Sequence, residues 1–81
     1  MSEADKMFEE LGYKKIYNSF WKETKYKRIT EDFIDIITFN NIYKKVLLEC
    51  FVIEGNEKEI FEATIEELKA INKKVSELGW L

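Results

Sequence analysis

Apolar residues recur at three- and four-residue steps at both ends of the chain and crowd together at short spacing between them, so the sequence predicts helix, sheet, helix. From Thr64 to Leu81, the positions Ile65, Leu68, Ile71, Val75 and Leu78 form one stripe, while Glu66, Lys69, Lys73, Lys74 and Glu77 cover the other faces. Thr64 followed three residues later by Glu67 is a capping box that marks the helix start. Gly79 can take the left-handed conformation that closes the helix, with Trp80 folding back on Val75. Residues 2–12 repeat this on a smaller scale: Ser2 is the expected N-cap, Ala4, Met7, Phe8 and Leu11 the stripe, and Gly12-Tyr13 the closure, with Tyr13 over Phe8. Helices this short are marginal alone and need a sheet to pack on.

Between them, β-branched, aromatic and lysine residues favour antiparallel strands at Tyr13 to Asn18, Phe20 to Arg28, Asp32 to Phe39 and Lys45 to Ile53, with a short fifth piece within Glu57 to Ala63. Asn40-Asn41 suits a two-residue turn, or a loop extending to Lys44; Gly55-Asn56 marks the next turn. Phe33 to Phe39 and Val46 to Ile53 carry apolar residues on both faces, as central strands do. The simplest packing is a single two-layer α+β domain over residues 1–81. An antiparallel meander of four or five strands carries a short N-terminal helix and a longer C-terminal helix on one face. If Ile34, Ile36, Leu47 and Phe51 share the other face, that face is more apolar than a monomer usually exposes, and self-association would cover it.

Composition narrows the chemistry. At 81 residues, 46% hydrophobic and 36% charged, the chain has room for one modest core and belongs with folded rather than disordered sequences. No apolar run reaches the roughly twenty residues of a membrane span, and the acidic start Ser-Glu-Ala-Asp is unlike a signal peptide, so the expected location is the cytoplasm. Cys50 is the sole cysteine and histidine is absent, so neither an internal disulfide nor a Cys/His metal site can form. Within an apolar strand and with no histidine to deprotonate it, Cys50 reads as a structural thiol rather than a nucleophile. Asp35 and Glu49 interrupt apolar strands and are the formal candidates for acid/base work, though acids at an edge or facing solvent are the plainer reading. Glu54, Asn56, Glu57 and Glu59 lack the alternation of a calcium loop and read as a solvated turn. No catalytic residue, metal ligand, cofactor or small-molecule substrate is expected.

Charge is distributed unevenly. Residues 13–30 carry a net +5 on a chain of total −3, leaving −8 elsewhere. Lysines interleaved with aromatic rings are the equipment of single-stranded nucleic-acid binding, and the candidate contacts are Lys14, Lys15, Trp21, Lys22, Lys25, Tyr26, Lys27 and Arg28. The competing reading is that lysines on early strands guard against edge-to-edge aggregation while the acidic remainder repels phosphate.

The two ends, Met7-Phe8-Glu9-Glu10-Leu11-Gly12-Tyr13-Lys14-Lys15 and Ile65-Glu66-Glu67-Leu68-Lys69-Ala70-Ile71-Asn72-Lys73-Lys74 with Glu77-Leu78-Gly79-Trp80, resemble small uncharacterised proteins encoded by phages and prophages of Gram-positive bacteria. The resemblance spans the chain in order but rests on its ends, and it implies expression in the cytoplasm of an infected or lysogenic cell, with no activity attached. The expectation is a non-enzymatic interaction module that binds itself or a protein partner and no membrane, with nucleic-acid binding through residues 13–30 as the alternative.

Overall fold

The computed structural model describes residues 2–18 and 22–81, with backbone only for Tyr17 and Asn18. Its elements are α1 (Glu3–Glu10), β1 (Lys14–Asn18), β2 (Glu23–Ile29), β3 (Phe33–Asn40), β4 (Lys45–Val52), β5 (Lys58–Glu59) and α2 (Ile65–Glu77). The strands form one antiparallel meander in the order β1-β2-β3-β4-β5. The expected α+β arrangement is therefore present, with the short fifth strand. Ends of the four long strands differ from the sequence reading by at most one residue, except that β2 starts at Glu23 rather than Phe20: Lys22 is a turn residue, and Phe20 and Trp21 lie outside the described residues.

Local chemistry explains the joints. Ser2 Oγ accepts the Asp5 backbone N–H at 3.0 Å, and Thr64 and Glu67 form the reciprocal capping box at 3.0 and 2.8 Å. Both helices close with a Schellman pair: Tyr13 N–H to Phe8 O and Gly12 N–H to Glu9 O, then Trp80 N–H to Val75 O and Gly79 N–H to Ser76 O. Gly12 and Gly79 stand at φ of +91° and +74°, which a Cβ would resist. Asn40-Asn41 is not a two-residue turn. Asn40 stays in β3, and its Oδ1 accepts the N–H groups of Ile42 and Tyr43, so the loop runs to Lys44, where φ is positive.

Both helices pack on one sheet face. Phe8 of α1 stacks on Tyr26 of β2 at 4.0 Å between ring centroids and meets Tyr13 and Phe39 edge-on; Trp80, just beyond α2, leans against Phe39. With Ile37 and Ala70 these rings form the core. Burial of α1 follows its stripe, since Ala4 and Phe8 are fully buried and Met7 and Leu11 border the core. Helix α2 departs from its stripe. Ile71, Val75 and Leu78 touch the core, but Ile65 and Leu68 are exposed, and the helix instead buries Glu67, Ala70 and Lys74. The reason is electrostatic: Glu67 meets Tyr13 and, on β2, Arg28, and Lys74 meets Asp5 of the neighbouring helix, so turning them inward leaves neither charge unpaired.

Candidate functional site

The register fixes what the uncovered face presents. Along continuous strands, residues directly opposite each other share a face, and Tyr26, Ile37 and Leu48 lie in the row beneath the helices. The alternate rows therefore point away. They read Ile29, Ile34, Phe51, Lys58; then Lys14, Lys27, Ile36, Glu49; then Ile16, Lys25, Thr38, Leu47; then Glu23, Asn40, Lys45. Ile34, Ile36, Leu47 and Phe51 do share this face, as the sequence left conditional. Ile29 is 64% and Leu47 51% exposed. Five lysines and two glutamates give the face a formal +3, on a chain whose total is −3, so everything else carries −6.

The pleat divides the expected basic and aromatic set. Lys14, Lys25 and Lys27 lie on the open face. Lys15, Tyr26 and Arg28 point to the helix side, Lys22 is an exposed turn residue at positive φ, and Trp21 lies outside the described residues. Tyr26 is 1% exposed, so its ring cannot stack on a base. Its hydroxyl donates to Asp5, which also accepts from Lys15 at 3.1 Å and has Lys74 at 3.7 Å. Arg28 Nη2 meets Asp35 at 2.7 Å and Glu67 at 3.2 Å, and its plane covers the Tyr13 ring at 4.5 Å. Glu67, 2% exposed, further accepts from the Tyr13 hydroxyl. Tyr26 and Arg28 are thus internal struts that hold helices to sheet, while Lys15 pairs with Asp5 from an exposed position on the helix side.

No family model, curated protein or solved structure matches this chain.

These struts set the local proton affinities. Burial pushes Asp5 upward, but hydrogen bonds from Tyr26 and Lys15, together with Lys74, outweigh it and hold the carboxyl below its ordinary value. Burial likewise works against Glu77, and the Ala4 N–H at 2.9 Å, a bond with Ser2, and Lys74 bring it below the usual range. Burial, reinforced by a carboxylate acceptor, raises both Tyr13 and Tyr26 well above a free phenol.

An open groove of about 590 Å³ lies over the ends of β3, β4 and β5, with Arg28, Asp35, Cys50, Glu59 and Phe61 among its walls. It is the concave setting with a buried acid that an enzyme reading requires, and Asp35, 8% exposed, is not the solvent-facing acid expected. Its chemistry is quiet nonetheless. Asp35 is engaged by Arg28, and burial followed by the Asp35 carboxylate pushes the Cys50 thiol up to about 11, leaving it protonated and poorly nucleophilic at neutral pH. Among the described residues, no group of three or more Cys, Asp or Glu could hold a metal ion, and no helix is long and apolar enough to cross a membrane. Outside the groove, the exposed side of α2 offers a shallow apolar surface through Ile65, Leu68, Ile71 and Val75.

Lys45, Lys58, Ile16 and Ile29 belong to the open face but were not singled out from the sequence. Their signal is simple alternation, legible only once the strand register is known.

Proposed function

We propose that this protein is a small non-enzymatic interaction module, of the phage or prophage type its ends resemble, that works in the cytoplasm by docking another polypeptide on its open sheet face. The observation that carries this reading is the apolar group Ile34, Ile36, Leu47 and Phe51 on the sheet face opposite both helices. Leu47 is exposed and Ile34, Ile36 and Phe51 are half-buried beside it, and contiguous apolar surface of this kind favours association because apolar burial is its main driving force. Antiparallel sheets can keep one face in water, but that face then ordinarily alternates toward polar residues, which β3 does not do at Ile34 and Ile36. The alternative, stacking of single-stranded nucleic acid, loses Tyr26 and Arg28 to internal contacts, finds Lys15 on the helix side paired with Asp5, and among the described residues of the open face keeps lysines without a row of rings.

A photo-crosslinking amino acid placed at Leu47, on the open face, and separately at Lys69, on the outer side of α2, tests the reading in the cell that makes the protein. A discrete protein adduct at position 47 that is absent at position 69 is the expected result. Adducts that vanish on nuclease treatment, or the same adducts from both positions, would overturn it.

A further inference from the structure

We infer that the occupant of the open face is an acidic protein segment, one that sets a carboxylate between Lys14 and Lys27 and lays apolar side chains on the neighbouring strands. This rests on the docking reading and specifies its partner. The face is graded across the sheet: β1 and β2 supply Lys14, Lys25 and Lys27 beside two isoleucines, whereas β3 and β4 supply Ile34, Ile36, Leu47 and Phe51 among polar residues and a single lysine. Lys14 stands directly opposite Lys27, and like charges in that position are unfavourable. Lys25 and Lys58 have glutamates at 3.8 and 3.6 Å, but among the described residues no carboxylate lies within 4 Å of Lys14 or Lys27. Between them is a groove of about 340 Å³ lined by Gly12, Lys14, Ile16, Lys27 and Ile29. At the small end of binding-site volumes, it is suited to one side chain with an apolar stem and an anionic end, which describes glutamate or aspartate.

Charge decides between occupants. A second copy joined face to face by a two-fold axis would use the same patch on both sides, setting five lysines and two glutamates against their own repeat. Such an arrangement repels where an acidic partner attracts. A nucleic acid would bring phosphates for the lysines, but Phe51 is the only ring among the described side chains of this face, and it lies across the sheet from the Lys14–Lys27 pair. Its many phosphates would also meet the field of an otherwise acidic molecule.

The test uses the full chain, isotope-labelled for NMR, titrated with three probes: a short peptide alternating Leu and Glu, its counterpart alternating Leu and Lys, and an oligo-dT strand. The acidic peptide is expected to shift the amide signals of Lys14, Ile16, Lys27 and Ile36 and to dissociate as salt is raised. A Lys14→Gln/Lys27→Gln variant, altered only at surface positions, is expected to bind it at least about tenfold more weakly with its remaining spectrum unchanged. Equal binding of both peptides at this face, or full binding by the variant, would refute the acidic occupant and leave the docking face standing. If neither peptide moves these signals, the docking reading falls as well. Tighter binding of oligo-dT at the same residues would make nucleic acid the occupant, and a doubled solution mass with those amides protected would make it a second copy.

Discussion

Reversing one charge at the Lys14–Lys27 pair should stabilise the fold while removing its anion site. The two residues are directly opposite on β1 and β2, where Cβ atoms of antiparallel partners stand about 4.5–5.5 Å apart. Opposite charges in this geometry contribute about 0.2–1 kcal/mol and like charges cost a similar amount, so Lys27→Glu converts a penalty into a gain. Lys14 is exposed and Lys27 half-buried, so solvent screening holds the swing to about 0.5–1 kcal/mol. For a domain of this size each kcal/mol moves Tm by about 4–8 °C, which gives a rise of roughly 2–8 °C. Calorimetry at low salt would measure it. The gain should shrink in about 1 M salt, where the screening length is about 3 Å. Lys14→Glu should act alike, and the double reversal should fall back toward the wild type, because it restores a like-charged pair. A Lys27→Glu variant with lowered Tm, or a double variant as stable as the singles, would refute the assignment of an unfavourable pair. The combination of raised stability with lost peptide binding separates a cost retained for recognition from an ordinary surface strut.

Other consequences follow from the interior. Glu67→Gln leaves Arg28 and Tyr13 short of a charged acceptor and should lower stability by about 2–4 kcal/mol in denaturant titration; a loss below half a kcal/mol would show that Glu67 is no hub. Asp5 and Glu77 titrate below their ordinary values of 3.8 and 4.5, so the native state binds fewer protons than the unfolded chain. Their contribution is complete above those values and is lost as pH falls below them, and Asp5→Asn should flatten the acid limb of a stability–pH curve. Cys50 should resist a thiol reagent at neutral pH in the native state and react promptly once denatured; fast native labelling would contradict its raised pKa and burial. Gly12→Ala should cost about 1–2 kcal/mol, since φ is +91° and the new Cβ would sit 3.4 Å from the Arg28 side chain; an unchanged Tm would show that the closure tolerates a Cβ.

What could be read from the sequence was what neighbours in the chain decide. Ser2, Thr64 with Glu67, and the two Gly-aromatic closures satisfy backbone groups only a few residues away, so their geometry follows from local spacing alone. Strand positions followed from β-branched runs for the same reason. The pleat was less legible. Lys14, Lys15, Lys25, Tyr26, Lys27 and Arg28 look like one basic and aromatic surface when read along the chain, yet a period of two sends half of them to each side. Which half meets the helices is decided by Phe8 stacking on Tyr26, a contact across eighteen residues of chain that no local signal announces.

Helix α2 shows why hydropathy alone misplaced a face. Its most regular apolar stripe includes Ile65 and Leu68, which remain in solvent, whereas Glu67 and Lys74, polar by any scale, are 2% and 7% exposed. Burying a charge is costly unless it is paired and hydrogen-bonded, and here the partners exist: Tyr13 and Arg28 for Glu67, Asp5 for Lys74, all contributed by the N-terminal half of the sequence. Ala70 between them has no exposed surface and little bulk, which lets the helix settle close to the layer below. Replacing Leu68 by Glu should then change stability by less than about 0.5 kcal/mol, a surface-like value that a core leucine could not give. Replacing Ala70 by Leu should cost about 1–3 kcal/mol through overpacking. If the two effects were reversed, the apolar stripe would be the buried one and the internal ion pairs would not set the helix's orientation.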